Sequence, residues 1–200
     1  MRALLLVVML CFIVSGDTSQ PQTLQEENDI SEVTTETFAK QISNNYNPKI
    51  EHPFTEFCDK YQEVAIYYHL DCGIPVSIQL AQAIAESGGG KSELGRLANN
   101  LFGMKYYKEL FNGEFYQAPG GCKWRKYNSI EDSFRDHAVF LNQYYGHATG
   151  KNWQYWVNNC KGYGGIGYWK HIGDVIEKYR LYEYDDVVDF NIKQKKLYNL

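Results

Sequence analysis

The stretch PVSIQLAQAIAESGGGKS, residues Pro75 to Ser92, is the most informative in the chain. From Pro75 to Ala85 small and apolar residues occupy nearly every side of a helix, the pattern of a helix buried at the centre of a fold. Pro75 suits the first helical position, where a missing N–H is no loss. Gly88, Gly89 and Gly90 supply a stop, because glycine readily enters the left-handed conformation that ends helices. Into the last turn the sequence sets one carboxylate, Glu86. A carboxylate there faces the negative end of the helix dipole, and burial penalises its charge as well. Both effects raise its pKa, which is what a general acid working near neutral pH requires. The side-chain-free glycines are further expected to let a substrate approach the acid closely. An exposed glutamate beside a glycine cap would have none of these properties.

Working outward, helical periodicity dominates. Phe54 to Leu70 reads as a helix with Phe57, Tyr61, Val64, Ala65 and Tyr68 on one face. SELGRLA is a short helix. SIEDSFRDHAVFLNQYY opens with Ser129 as N-cap and Asp132 three residues later, a capping-box pattern. NWQYWVNNC and GYWKHIGDVIEKYRL supply two more. The exception is Phe102 to Tyr127, where aromatic residues alternate and Asn112-Gly113 suits a tight hairpin turn. The expected fold class is α+β, mainly α: a helical body with a small inserted β-hairpin lobe, and a substrate cleft between them.

The 200 residues are 44% hydrophobic and 22% charged, a globular balance, and 16% aromatic with Tyr 17 and Trp 4. A formal charge of −4 speaks against nucleic acid as a partner, since phosphates call for a basic surface. Residues 1–16 read as a signal peptide: Arg2, an apolar run from Ala3 to Val14, and a small-residue cleavage site near Gly16. The run is too short for a transmembrane span, and Leu10 before Cys11 does not fit a lipoprotein. A secreted or periplasmic location follows. Residues 17–52 read as a polar linker or arm, 53–186 as the catalytic domain and 187–200 as a polar tail. After cleavage Cys58, Cys72, Cys122 and Cys160 remain, an even number that suggests disulfides in an exported chain. A Cys58–Cys72 link is disfavoured, because both lie about 21 Å apart on one helix. Bridges from that helix to Cys122 and Cys160 are expected.

Four blocks, in order, resemble glycoside hydrolase family 73, the peptidoglycan-cleaving β-N-acetylglucosaminidases. They are PVSIQLAQAIAESGGGKS, NNLFGMK at residues 99–105, KYNSIEDSFRDHAVFL at 126–141 and KYRLYEYD at 178–185, and the likeness covers residues 55 to 186. The resemblance implies a lysozyme-like fold and cleavage of the β-1,4 bond after N-acetylglucosamine, with Glu86 as the general acid. It implies a second carboxylate in the hairpin, for which Glu114 is preferred over Glu109. A separation of roughly 6.5–9.5 Å from Glu86 would suit inversion and about 5 Å a covalent nucleophile, while the substrate's N-acetyl group could assist instead. Tyr163 matches a tyrosine lining the family's catalytic cleft, and Tyr168 a second one that follows it. Two departures stand out. The loop GYGGIGY is shorter than in relatives, and Gly89 stands where they often carry Trp, removing one wall of a sugar groove. Phe102, Tyr106 and Trp124 are candidates to replace it, with Tyr168 as a further substrate-binding residue.

No His-Glu-x-x-His or Cys-x-x-Cys pattern suggests a metal, and no cofactor is expected. The expected partner is peptidoglycan or another N-acetylglucosamine-containing glycan, met as a monomer. Three rivals stand beside this reading. A lytic transglycosylase would share the fold and leave an anhydro end. A non-catalytic glycan-binding module would not need Glu86. A cysteine hydrolase would need a free thiolate beside a histidine.

Overall fold

The computed structural model describes residues 34–46 and 51–198; the expected signal peptide lies outside them. Helix α3 (Val76–Ser87) is the spine, with every residue from Val76 to Ile84 buried. It packs against α2 (Thr55–Cys72) on one side and α6 (Trp153–Asn159), α7 (Tyr168–Lys178) and α8 (Tyr182–Tyr198) on the other. Gly88 ends it in the left-handed region (φ 62°), its N–H donating to the Ile84 carbonyl. The other end is held by Asp185 of α8, which accepts from the Ser77 N–H (3.0 Å) and hydroxyl (2.5 Å). The first and last sequence blocks thus meet at the N-terminus of the spine, where backbone donors lack intrahelical partners.

Helix α5 (Ile130–Tyr145) lies across α2, and its Ser129 cap accepts from the Asp132 N–H at 3.1 Å, as its sequence implied. Between α4 (Glu93–Ala98) and α5 sits the expected lobe, strands β1 (Glu114–Gln117) and β2 (Lys123–Lys126) in an antiparallel pair. Its turn is not at Asn112-Gly113, which precede β1. The chain reverses over residues 118–122, where the Ala118 N–H donates to the Cys122 carbonyl and Gly120 and Gly121 both have φ near 90°. Two consecutive glycines accept that geometry without the steric cost other residues bear.

The ends differ from expectation too. Within the supposed arm, α1 (Thr35–Asn45) buries Ala39 and Ile42 against the body. The supposed tail is the second half of α8, which buries Val188. Both helices are polar in composition; α1 is amphipathic and lays its few apolar residues on the core, while α8 carries little periodic signal of its own. The expected disulfides are not formed: Cys58 and Cys160 are buried in the core, Cys72 donates to the Tyr68 carbonyl, and Cys122 is exposed in the hairpin turn. No helix of the described residues is long and apolar enough to cross a membrane.

Candidate active site

The last turn of α3 delivers Glu86 into a cleft of about 740 Å³ between the helical body and the hairpin lobe. One wall is residues 102–105, Tyr107 and Leu110 with Arg125 of β2; the other is the outer face of α5 and the loop around Tyr163. Burial pushes the Glu86 carboxyl up to about 7, while the hydroxyls of Tyr168 and then Tyr163 pull it partly back. An acid with that value is half-protonated at neutral pH, as a proton donor should be. The hydroxyl of Tyr168 donates to Glu86 Oε1 (2.5 Å) and accepts from Gln82 Nε2 (3.0 Å). Tyr168 is therefore a partner of the acid more than a wall of the sugar groove.

Tyr163 joins the same group. Its ring leans on Tyr168 (4.9 Å between centroids, 47° between planes), and its hydroxyl lies 3.3 Å from His137 Nε2. His137 is fully buried, and burial holds its pKa down to about 3, so the ring is neutral. It lies flat on Phe102 (3.8 Å between centroids, 5° between planes). Phe102 is only 2% exposed, so it serves as the floor of the cleft rather than a stacking platform. Tyr106 leans on Phe115 and Phe111 within the lobe and is absent from the cleft lining.

A tight turn brings Gly103 over the acid. Buried Asn100 closes that turn, accepting from the Met104 N–H (3.0 Å) and donating to the carbonyls of Met104 (2.9 Å) and Arg125 (2.8 Å). A Cβ on Gly103 would sit 3.5 Å from Glu86 Oε2 and 3.8 Å from Trp124. Gly103, and not the triple glycine, is thus the residue that leaves the acid accessible. Gly89 and Gly90 pack instead against Phe54 and Phe57 on another face, where a Cβ on Gly89 would come within 2.8 Å of Phe54. These phenylalanines fill the space a larger residue at 89 would need. Trp124, half-buried on β2, is the candidate aromatic that stands beside Gly103.

Glu114 is not brought to the cleft. Its side chain is 76% exposed on the outer face of the hairpin, paired with Lys126 at 2.8 Å, which lowers its pKa. Glu109 is likewise exposed. The carboxylate that does share the cleft is Asp136, and it is already engaged by Arg125 Nη1 (2.5 Å) and the Tyr127 hydroxyl (2.5 Å). This cluster ties α5 to β2 and so anchors the lobe. Gln82, Gly103, Asp136 and His137 were not singled out from the sequence, although a glutamine inside an apolar helix and the Asp-His pair were visible signals. The buried and half-buried thiols offer no nucleophile, since burial pushes Cys58 up to about 12 and Cys72 and Cys160 up to about 11, and exposed Cys122 does not line the cleft. Among the described residues no His, Cys, Asp and Glu cluster could hold a metal.

The chain is 32% identical over 141 residues to the exo-glucosaminidase LytG of Bacillus subtilis (strain 168), covering 56% of this chain and 46% of that protein. It is 38% identical over 77 residues to the protein bax of Escherichia coli (strain K12), covering 38% of this chain and 27% of that one. It therefore spans less than half the length of these curated relatives. The glycoside hydrolase domain of Salmonella typhimurium FlgJ has the same fold, with a TM-score of 0.54 at 21% identity, covering 74% of this chain and 100% of that domain. The glucosaminidase family, described as mannosyl-glycoprotein endo-beta-N-acetylglucosaminidase, matches residues 62–181. With a match over more than half its length, the chain belongs to the glucosaminidase family, glycoside hydrolase family 73, whose fold is lysozyme-like.

Proposed function

We propose that the protein is an exported glycoside hydrolase that cleaves the β-1,4 bond after N-acetylglucosamine in peptidoglycan, with Glu86 as general acid. One observation carries this: Glu86 is, among the described residues lining the cleft, the one carboxylate not taken up by an ion pair, and burial keeps it about half-protonated at neutral pH. Membership of the family and the likeness to LytG support the substrate class. The signal-peptide reading of residues 1–16 puts the activity outside the cytoplasmic membrane, where peptidoglycan lies.

With Glu114 on the outer face and Asp136 neutralised by Arg125, no described side chain lining the cleft stands ready as a second free carboxylate. The substrate's own 2-acetamido carbonyl then serves as the nucleophile, one of the exceptions to the paired-carboxylate scheme. In the first step Glu86 gives its proton to the glycosidic oxygen, the C1–O bond breaks, and the acetamido oxygen bonds to C1. In the second step water opens the oxazolinium ring, and the Glu86 carboxylate takes a proton from that water. Two displacements give net retention.

The test is release of reducing ends from purified walls. Wild type should liberate them at N-acetylglucosamine, and Glu86→Gln should lose at least ~10²-fold in rate, the scale of general acid catalysis. Glu114→Gln should keep its rate within about twofold, as expected for a solvated surface pair. Equal rates for wild type and Glu86→Gln would sink the assignment. Mass spectrometry of the digest separates hydrolysis from a lytic transglycosylase, which would leave an anhydro end. Proton NMR of fresh product reads the mechanism: a β-anomer appears first under retention.

A further inference from the structure

We propose that Gln82 and Tyr168 form a clamp on one oxygen of Glu86, so that the other oxygen, Oε2, is the atom that hands its proton to the glycan. Gln82 is then a positioning residue of the site. This rests on Glu86 being the general acid.

Gln82 precedes Glu86 by one helical turn, so both project from the same face of α3. The Tyr168 hydroxyl has a single proton, and the 2.5 Å contact spends it on Glu86 Oε1. It must then accept from Gln82, which fixes the orientation of the amide with Nε2 toward the phenol at 3.0 Å. Donation into the phenol oxygen strengthens the bond the phenol makes onward, because linked hydrogen bonds polarise one another. A proton on Oε1 would weaken that oxygen as an acceptor from Tyr168. The clamp therefore keeps the proton on Oε2, the oxygen beside Gly103, which itself lines the cleft. After transfer the phenol stabilises the carboxylate left behind.

The amide has no evident role in folding. Gln82 is fully buried, its Oε1 has no partner, and an orphaned buried carbonyl is destabilising. Gln79 also has an unpartnered Oε1 among the described residues, but its amide donates to the carbonyls of Ala65 (2.9 Å) and Ile74 (3.1 Å) and so joins α3 to α2. Among the described residues the Gln82 amide reaches only Tyr168. The other charged or titratable groups around the acid are Tyr163 from the loop, Asp136, His137, Tyr144 and Tyr145 from α5, Lys105 and Tyr107 from the segment after α4, and Arg125 from β2. None of these is altered by the variants below.

The experiment compares Gln82→Met and Tyr168→Phe with wild type in the full chain. Three readouts are taken: thermal unfolding, kcat and KM across pH on a soluble peptidoglycan oligosaccharide, and the ¹³C titration of the Glu86 carboxyl without substrate. The Glu86 signal is assigned by its loss in Glu86→Gln. Gln82→Met should melt no lower than wild type, lose about tenfold in kcat and keep KM within about twofold. Losing a bond to the charged form raises a carboxyl pKa, so the Glu86 midpoint should rise by about half a unit in Gln82→Met and about one unit in Tyr168→Phe. The alkaline limb of kcat/KM should move up with it. Overturning results are a Gln82→Met protein with wild-type kcat and an unmoved Glu86 titration, or one whose lost activity tracks lost stability. An active Glu86→Gln protein would instead sink the functional reading, while the substrate-free titration would still judge the clamp.

Discussion

At the residue scale, Glu86 sits where charge is costly, and its chemistry and its contribution to stability pull in opposite directions. Its folded pKa is raised from 4.5 to about 7 by burial. Between those values the folded state holds more protons than the unfolded one, so the contribution of Glu86 to stability is fully present below pH 4.5 and is lost as pH rises through 7. Glu86→Gln removes the buried charge and keeps the shape. It should be more stable than wild type by about 2–3 kcal/mol at pH 8. Little difference should remain at pH 5, and paired thermal melts at the two pH values check this. Gly103 presents the complementary case. Gly103→Ala would set a methyl 3.5 Å from Oε2 at a position with φ +57°. The expected strain is about 1–2 kcal/mol, from the left-handed backbone, and kcat/KM should fall beyond what that loss explains. Gly89→Ala, which meets Phe54 away from the cleft, should lower the melting temperature and leave the kcat of the folded fraction unchanged.

At the element scale, α3 works because both of its ends are fastened. Gly88 stops it one turn past Ile84, which leaves Glu86 in the final turn facing the cleft. At the other end Asp185 satisfies the Ser77 N–H and hydroxyl from α8. This carboxyl is also pushed up to about 7, chiefly by burial. Asp185→Ala should cost about 2 kcal/mol or more, the value of a lost cap with buried donors left unpaired. Chemical denaturation near pH 4, where the carboxyl is protonated, measures it, and the cost should shrink as pH rises through 7 and the buried charge forms; activity per folded molecule should persist because the change lies at the far end of the helix from Glu86. On α5, Asp136 and His137 divide two duties: the carboxylate holds Arg125 and Tyr127 of the lobe, and the imidazole backs Tyr163. An Asp-His pair on one helix thus reads as support for the cleft from two directions, with neither residue acting as a nucleophile.

At the scale of the whole molecule, a helical body carries a small lobe, and the two are joined beside the acid by buried polar contacts rather than by disulfides. Thiol labelling tests this. In the native protein Cys122 should react at once, while Cys58, Cys72 and Cys160, all half-buried or buried with thiol pKa values raised by burial, should react only on unfolding. Absence of free thiol in the denatured, unreduced protein would show that bridges form after all. Helices α1 and α8 close the body at its outer face, where Tyr46 of the segment after α1 meets Tyr184 of α8 edge-on at 4.8 Å.

The sequence alone determined the central helix, the carboxyl in its last turn and the family, because an all-round apolar pattern and a glycine stop are local signals. The same locality explains its limits. The polar helices α1 and α8, the hairpin turn at residues 118–122, and the choice of Gly103 over the triple glycine depend on which surfaces meet after folding. Partnership at the acid is the sharpest instance. Glu114 had the right chemistry and a plausible position in the chain, yet its strand turns it to solvent and Lys126. Gln82 lacked any charge to mark it, and only the packing of α7 against α3 brought Tyr168 between it and Glu86. Residue type and spacing can announce an acid; which groups hold it is decided by burial and by directions that exist only in the folded chain.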